Sequence, residues 1–255
     1  TDALTLRFPV TYDQPFELQP ITNVDTTKAF AGWYNQINGA GTGFTNENGQ
    51  SLRNWNTLQN VDLYPYWVDI FEFELITVNN EEGYRVTKSA GIVYVTEITI
   101  PATHNGKPVL ELSSAAFYNT PNIKVINIPD SIQNCSESGS AFAGCTSLTA
   151  INIYVAEGNH YVEYASVDGV LYHYNEYESR VEIIKVPTGM TGELKIASHV
   201  SFDGGQTLSP VTALPVDALK GSQLTKVVIP YTVQDLNTNC FADCPNLVSI
   251  EFEAT

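Results

Sequence analysis

The chain has 255 residues, 43% of them hydrophobic, enough apolar content for one large folded domain or two modest ones and too much for a disordered polymer. Its formal net charge is −16, with 12 Lys and Arg against 28 Asp and Glu. That balance excludes nucleic acid as a partner, because phosphates need clustered cations, and it disfavours anionic membrane surfaces.

Taken from the amino end, "TDALTLRFPV" has neither a basic region nor an apolar signal core, so a secretory signal is read as absent or already removed. No apolar run approaches the ~20 residues that span a bilayer, and no direct membrane insertion is expected. Residues 1–68 alternate short apolar runs ("LTLRF", "VDLYPYW") with a polar, glycine-rich middle, "NGAGTGFTNENGQ", which reads as a hairpin or loop region. "FAGWY" at 30–34, followed by "NVDLYPYW", resembles the Listeria–Bacteroides repeat, whose pattern is F-x-G-W-Y and then D-L-x-L-x-x-x-W. The usual Gly-Tyr before that core is replaced by Thr27-Lys28-Ala29. The resemblance implies a small β-grasp-like module, used as a spacer on surface proteins. Trp33, Trp55 and Trp67 are read as its core, with a sugar-binding platform as the alternative.

Beyond residue 69 the chain repeats itself. "AFYNTPNIKVINI" (116–128), "AFAGCTSLTAINI" (141–153) and "CFADCPNLVSIEF" (240–252) align, putting Phe117, Phe142 and Phe241 in one column and Ile123, Leu148 and Leu247 in another. The pairs Ile126/Ile128, Ile151/Ile153 and Ile250/Phe252 follow. "ALKGSQLTKVVI" (218–229) fits with one residue deleted, adding Leu219, Leu224, Val227 and Ile229. "YVTEITI" (94–100) and "VEIIKV" (181–186) read as further strands of the same kind. Each unit closes on L-x-x-I-x-I, the alternation of a strand with one buried face. Proline follows at 101, 129, 187 and 230, where each strand must end. The A-F-x-G/D-C segment suits a single helical turn, and no stretch carries the periodicity of a long helix. Units of about 22–25 residues that each bury part of a face must stack to complete a core, which predicts a solenoid with apolar ladders inside.

The pattern I-P-x-S-V-x-x-I-x-x-x-A-F-x-x-C-x-x-L-x-x-I-x-I resembles the BspA-type leucine-rich repeat of microbial surface proteins. "IPDSIQNCSESGSAFAGCTSLTAINI" matches it, apart from a two-residue expansion and Cys135 in the usual Ile column. "NGKPVLELSSAAF" (105–117) resembles the family's opening coil. "VDGVLYHYNEYESRVEIIKVPTG" (167–189) resembles its irregular D-G-V-L-Y coil, while 190–215 fits least. The expected fold is a β-rich leucine-rich-repeat solenoid of parallel strands and short helical turns over 69–255, preceded by the β-grasp-like module over 1–68.

The sequence offers little catalytic chemistry. No phosphate-cradling loop, H-E-x-x-H or G-x-S-x-G is present. His104, His160, His173 and His199 read as lone surface histidines, and Glu81-Glu82 and Glu251/Glu253 as solvated charge. "NNEEG" lacks the ligand spacing of an EF-hand. Cys135, Cys145, Cys240 and Cys244 lack the paired spacing of a zinc site and read as small core hydrophobes, Cys135–Cys145 being the only local pair with enough loop to bridge. No enzyme, metal or cofactor is expected.

Binding is then the expected activity. In a solenoid the residues between the buried columns share one outward face: Glu97/Thr99, Val125/Asn127, Ala150/Asn152, Ile183/Lys185, Lys226/Val228 and Ser249/Glu251. Tyr161, Tyr164, Tyr172, Tyr174 and Tyr177 form the richest aromatic patch, either a cover for the irregular coil or a ligand site. The resemblance implies an extracellular or cell-surface adhesion protein that binds host matrix or cell-surface proteins across this face. The alternatives are a carbohydrate-binding module of a glycan-using system, favoured by the tyrosines, and a structural spacer.

Overall fold

The computed structural model describes residues 7–22, 25–134, 140–154, 164–175 and 180–254. The chain divides into two compact units, Thr1–Phe71 with Ser89–Tyr94, and Glu72–Lys88 with Val95–Thr255.

In the first unit, β1 (Lys28–Tyr34) pairs antiparallel with β2 (Tyr64–Asp69), with a bulge between Phe30 and Gly32. Isolated bridges join Glu17 to Gln50, Tyr34 to Gly43 and Thr45 to Ser51. Gly32 sits at φ +123°, and a Cβ there would lie 2.2 Å from the Thr45 carbonyl, so the F-x-G-W-Y segment admits only glycine at this point. Of the three tryptophans expected in the core, Trp55 is buried, while Trp33 and Trp67 are half-buried. Phe30 meets Trp33 and Trp67 at centroid distances of 5.7 and 5.5 Å, and Trp55 lies between Phe16 and Phe44.

The second unit is a β-solenoid whose helical content, among the described residues, is one short 3-10 turn, Ser140–Phe142. In chain order its strands are β3 (Phe71–Val78), β4 (Glu81–Lys88), β5 (Glu97–Thr99), β6 (Thr103–His104), β7 (Lys107–Leu112), β8 (Val125–Pro129) and β9 (Ala150–Tyr154). They continue with β10 (Tyr164–Val167), β11 (Val170–Asn175), β12 (Arg180–Lys185), β13 (Thr191–Lys195), β14 (His199–Val200), β15 (Ser209–Leu214), β16 (Gln223–Ile229), β17 (Asp235–Leu236) and β18 (Ser249–Phe252). One wall holds two parallel ribbons, β5–β8–β9 and β13–β16–β18. The other sheets are β3–β4–β7–β6 and β10–β11–β12–β15–β14, with β17 parallel to β15.

The predicted ladders form the core in the copies at 116–128, 141–153 and 218–229, whereas in the copy at 240–252 Phe241 and Leu247 are half-buried and Ile250 and Phe252 exposed. Phe117, Phe142, Ile123, Leu148, Ile126, Ile151, Leu219, Leu224, Val227 and Ile229 are each 0% exposed. Phe117 and Phe142 stack with centroids 6.2 Å apart, one coil above the other. The fourth position of A-F-x-G-C explains itself in the backbone: Asn119, Gly144, Gly221 and Asp243 all have φ between +53° and +78°, the left-handed region that Gly, Asn and Asp tolerate best. The next column is Thr120, Cys145, Ser222 and Cys244. Cys145 Sγ donates to the Phe117 carbonyl at 3.1 Å and lies 3.2 Å from Thr120 Oγ1; Cys244 Sγ donates to the Leu219 carbonyl at 3.2 Å. Cys145 and Cys244 thus each tie their turn to a carbonyl of the preceding coil, whereas Thr120 Oγ1 donates to the Phe117 carbonyl in its own turn. Cys145 and Cys240 are buried free thiols and Cys244 a half-buried one; Cys135 lies outside the described residues.

Candidate functional site

The outward face is built by strand alternation. Where Ile98, Ile126 and Ile151 turn inward, their neighbours Glu97/Thr99, Val125/Asn127 and Ala150/Asn152 turn out. In-register pairing of β8 with β9 brings Asn127 and Asn152 side by side, and Asn152 Nδ2 donates to Asn127 Oδ1 at 2.9 Å. Asn127 Nδ2 in turn donates to Glu97 Oε1 and Thr99 Oγ1, each at 3.1 Å. Four of the predicted face residues therefore form one hydrogen-bonded ladder across three strands. Its members are held rigid by their partners, and Asn127 is only 9% exposed.

The second ribbon is charged instead. Lys226 Nζ lies 3.0 Å from Glu251 Oε2 and 3.5 Å from Glu193 Oε2, and Lys195 reaches Glu253 at 2.7 Å. The lysine pKa values are raised, that of Lys226 mainly by its hydrogen bond to Glu251 and that of Lys195 by Glu253. Register places Val228 between Lys195 and Glu251, so the Lys195–Glu253 pair, which joins the two outer strands, passes over β16 beside it. Val228 is accordingly 9% exposed, and it is not the open contact residue that its outward position predicts.

Two further expectations need correction. Lys185 and Ile183 do not belong to this face. They lie on β12, which pairs with β11 and β15 in the other sheet; Ile183 is fully buried and burial lowers the Lys185 pKa. The cause is the Asp168-Gly169 turn, φ +50° and +77°, which closes a two-residue hairpin between β10 and β11. The hairpin tip covers the edge of β9: Ile151 N–H donates to the Gly169 carbonyl at 2.8 Å and Ile153 N–H to Ser166 Oγ at 2.8 Å. The next ribbon strand is β13, "TGELK", with Glu193 and Lys195 as its outward pair. Sequence reading missed these two, although "ELKI" carries the same alternation. The face is thus two three-stranded ribbons, not one continuous six-stranded one.

The tyrosine patch is the other correction. Tyr172 is 1% exposed, its hydroxyl accepts from the Ala197 N–H at 3.3 Å, and burial pushes its pKa up to about 12. Tyr164 is buried against His173, and Tyr174 is half-buried with its ring 6.0 Å from that of Phe202. These three cover the irregular coil; Tyr161, Tyr177 and His160 lie outside the described residues. Nor are all the histidines surface groups. His173 faces Glu182 at 3.9 Å with both side chains nearly buried, and His104 stacks 3.9 Å from Phe73. Among the described residues no group of three or more His, Cys, Asp or Glu could hold a metal ion, and no helix is long and apolar enough to cross a membrane.

No curated protein matches the chain. Among solved structures it is similar to a leucine-rich repeat protein from Bacteroides capillosus, at 20% identity and TM-score 0.32 over 35% of this chain and 65% of that one. It is also similar to a leucine-rich repeat protein of T. pallidum (22%, TM-score 0.36, over 70% and 67% of the two chains) and to a leucine-rich cell surface protein from Faecalibacterium prausnitzii (17%, TM-score 0.29, over 71% and 74%). The chain thus spans just under two thirds of the B. capillosus protein. The model of the BspA type leucine rich repeat region matches six copies, over residues 90–167 and 209–255. With the ladders, the left-handed column and the Thr120/Cys145/Ser222/Cys244 column in register, residues 90–167 and 209–255 of this chain carry the BspA-type leucine-rich repeat.

Proposed function

We propose that this is a cell-surface recognition protein, non-catalytic, that binds a macromolecular partner, a host matrix or cell-surface protein, across the outward ribbons of its solenoid. Residues 1–68 act on this reading as a small β-grasp-like spacer module. The observation that carries the proposal is the ladder Glu97/Thr99–Asn127–Asn152, an outward row of polar side chains fixed in place by their own hydrogen bonds, with Glu97 and Thr99 exposed, Asn152 half-buried and Asn127 covered between them. A surface whose side chains are already ordered loses less entropy on binding, and a parallel ribbon suits an extended protein surface better than a small molecule. The likeness to a bacterial leucine-rich cell surface protein supports the location. Of the tyrosines that favoured the glycan reading, Tyr164 and Tyr172 are buried and lend it no support.

The test is solid-phase binding of the chain to host-matrix extract and to a glycan array, with the Val125→Arg/Asn152→Arg double variant beside it. Both positions are half-buried and outward, so the melting temperature should hardly move while matrix binding falls at least about tenfold. Binding unchanged in the double variant, or binding seen on glycans alone, would overturn the proposal.

A further inference from the structure

Asparagine is followed by glycine at Asn38-Gly39, Asn48-Gly49 and Asn105-Gly106. Glycine has no Cβ to keep its main-chain nitrogen away from the asparagine side chain, so such pairs are open to reaction with themselves. The structure closes two of them. Gly49 N–H donates to the Asn46 carbonyl at 3.0 Å, Asn48 Nδ2 donates to Glu47 Oε1 at 3.0 Å, and the Leu18 carbonyl fills the space beside Gly49. The Tyr66 ring fills the same space beside Gly39. Asn105 and Gly106, by contrast, are both exposed, with nothing within 4 Å of a Cβ placed at Gly106. They form the two-residue turn of the β6–β7 hairpin, at φ +47° and +76°, and Gly106 N–H has no hydrogen-bond partner among the described residues. The open turn also carries a proton donor. Asn105 Nδ2 lies 3.0 Å from His104 Nε2. The imidazole is held from two sides, stacked 3.9 Å from Phe73 and edge-on to Tyr84 at 4.8 Å. His173 faces Glu182 instead, and His199 faces Ser198.

We infer that Asn105 is a site of self-modification, deamidating through a cyclic imide that Gly106 closes and His104 helps to release. Gly106 N gives its proton to solvent hydroxide and bonds to Asn105 Cγ, pushing the carbonyl electrons onto Oδ1. The oxyanion collapses, the Cγ–Nδ2 bond breaks, and Nδ2 leaves as ammonia with a proton delivered by His104 Nε2, the atom already in contact with it. The imidazole takes a proton back from water. Water then opens the imide at either carbonyl and leaves aspartate or isoaspartate, so one water is consumed and one ammonia is lost overall. Either product sets a carboxylate beside the His104–Phe73–Tyr84 cluster, and isoaspartate adds a main-chain carbon to a turn of two residues. The site is the β6–β7 turn and not the outward ribbons, so it stands apart from the face proposed above.

The experiment incubates the full chain at neutral pH and follows the mass gain of deamidation at each of the three asparagines by peptide mapping. Asn105 should react at least about tenfold faster than Asn38 and Asn48, a modest share of what a positioned proton donor contributes. His104→Gln should slow Asn105 at least about fivefold and leave the other two rates unchanged, with amide protection at Lys107 showing that the hairpin persists. If the variant loses the hairpin, the wild-type chain in urea decides, because unfolding takes His104 off Asn105 and should abolish the lead. Three results overturn the inference: Asn105 no faster than Asn38 and Asn48 in the folded chain, an unchanged rate at Asn105 in a His104→Gln chain whose hairpin persists, or a lead that survives unfolding.

Discussion

Phe142 shows what one residue of a ladder does. It is fully buried and stacks on Phe117, the same column one coil away. Truncation to Ala removes the ring from both packing layers, and the fixed backbone of a stacked coil cannot close the cavity. Phe142→Ala should therefore lower stability by about 3–5 kcal/mol in urea unfolding; a loss below about 1 kcal/mol, typical of surface sites, would contradict the stack. Glu182 is a different case. His173, 3.9 Å away across the β11–β12 pair, lowers its pKa most, Arg180 adds to that, and burial opposes both. With the folded value below the unfolded one, the stabilisation is complete above about pH 4.3 and is lost as pH falls through the lowered folded value. Wild-type stability should therefore drop on acidification below about pH 4.3, and Glu182→Gln should show a shallower drop there. Identical slopes would remove Glu182 from the acid transition.

At the scale of elements, the Asp168-Gly169 hairpin divides the face. Gly169 has φ +77°, and a Cβ there would meet Ala150 Cα at 2.9 Å. Gly106 supplies an internal control, since it occupies the matching place in the Asn105-Gly106 turn of the β6–β7 hairpin, at φ +76° with nothing within 4 Å. Both Gly→Ala changes carry the strain of the left-handed region, about 1 kcal/mol. Only Gly169→Ala adds a clash with β9. It should cost roughly 1–3 kcal/mol more than Gly106→Ala in the same unfolding assay. Equal costs would show that the hairpin tip does not press on the β9 edge.

For the whole molecule, charge imbalance outweighs the ion pairs. Lys28–Asp69, Lys107–Glu82 and Lys220–Asp217 are exposed or half-exposed, and solvent screening leaves pairs of that kind little stabilising effect. Against them stand sixteen formal negative charges without a counterpart, which repel one another in the compact state. Raising sodium chloride from about 20 to about 200 mM should therefore raise the melting temperature, as a shorter screening length weakens the repulsion among the excess carboxylates. A falling melting temperature would put the ion pairs first.

The sequence by itself determined the coil. Periodic columns at 117, 123, 126 and 128 and their copies mark a buried side, and a one-residue slip would put every apolar side chain in water. The left-handed column at Asn119, Gly144, Gly221 and Asp243 was not read from the sequence, although these residue types at one spacing share a tolerance of positive φ. Only the tertiary structure decided which strands share a wall. "VEIIKVP" and "VINIP" look alike locally, yet the tip of the hairpin at 168–169 takes the edge of β9 and sends 180–185 to the other sheet. That choice depends on hydrogen bonds between residues far apart in sequence, which no local pattern encodes. The same limit applies to side-chain exposure. Alternation gives the side on which a residue points, but the burial of Val228 and Tyr172 depends on what other strands lay across them.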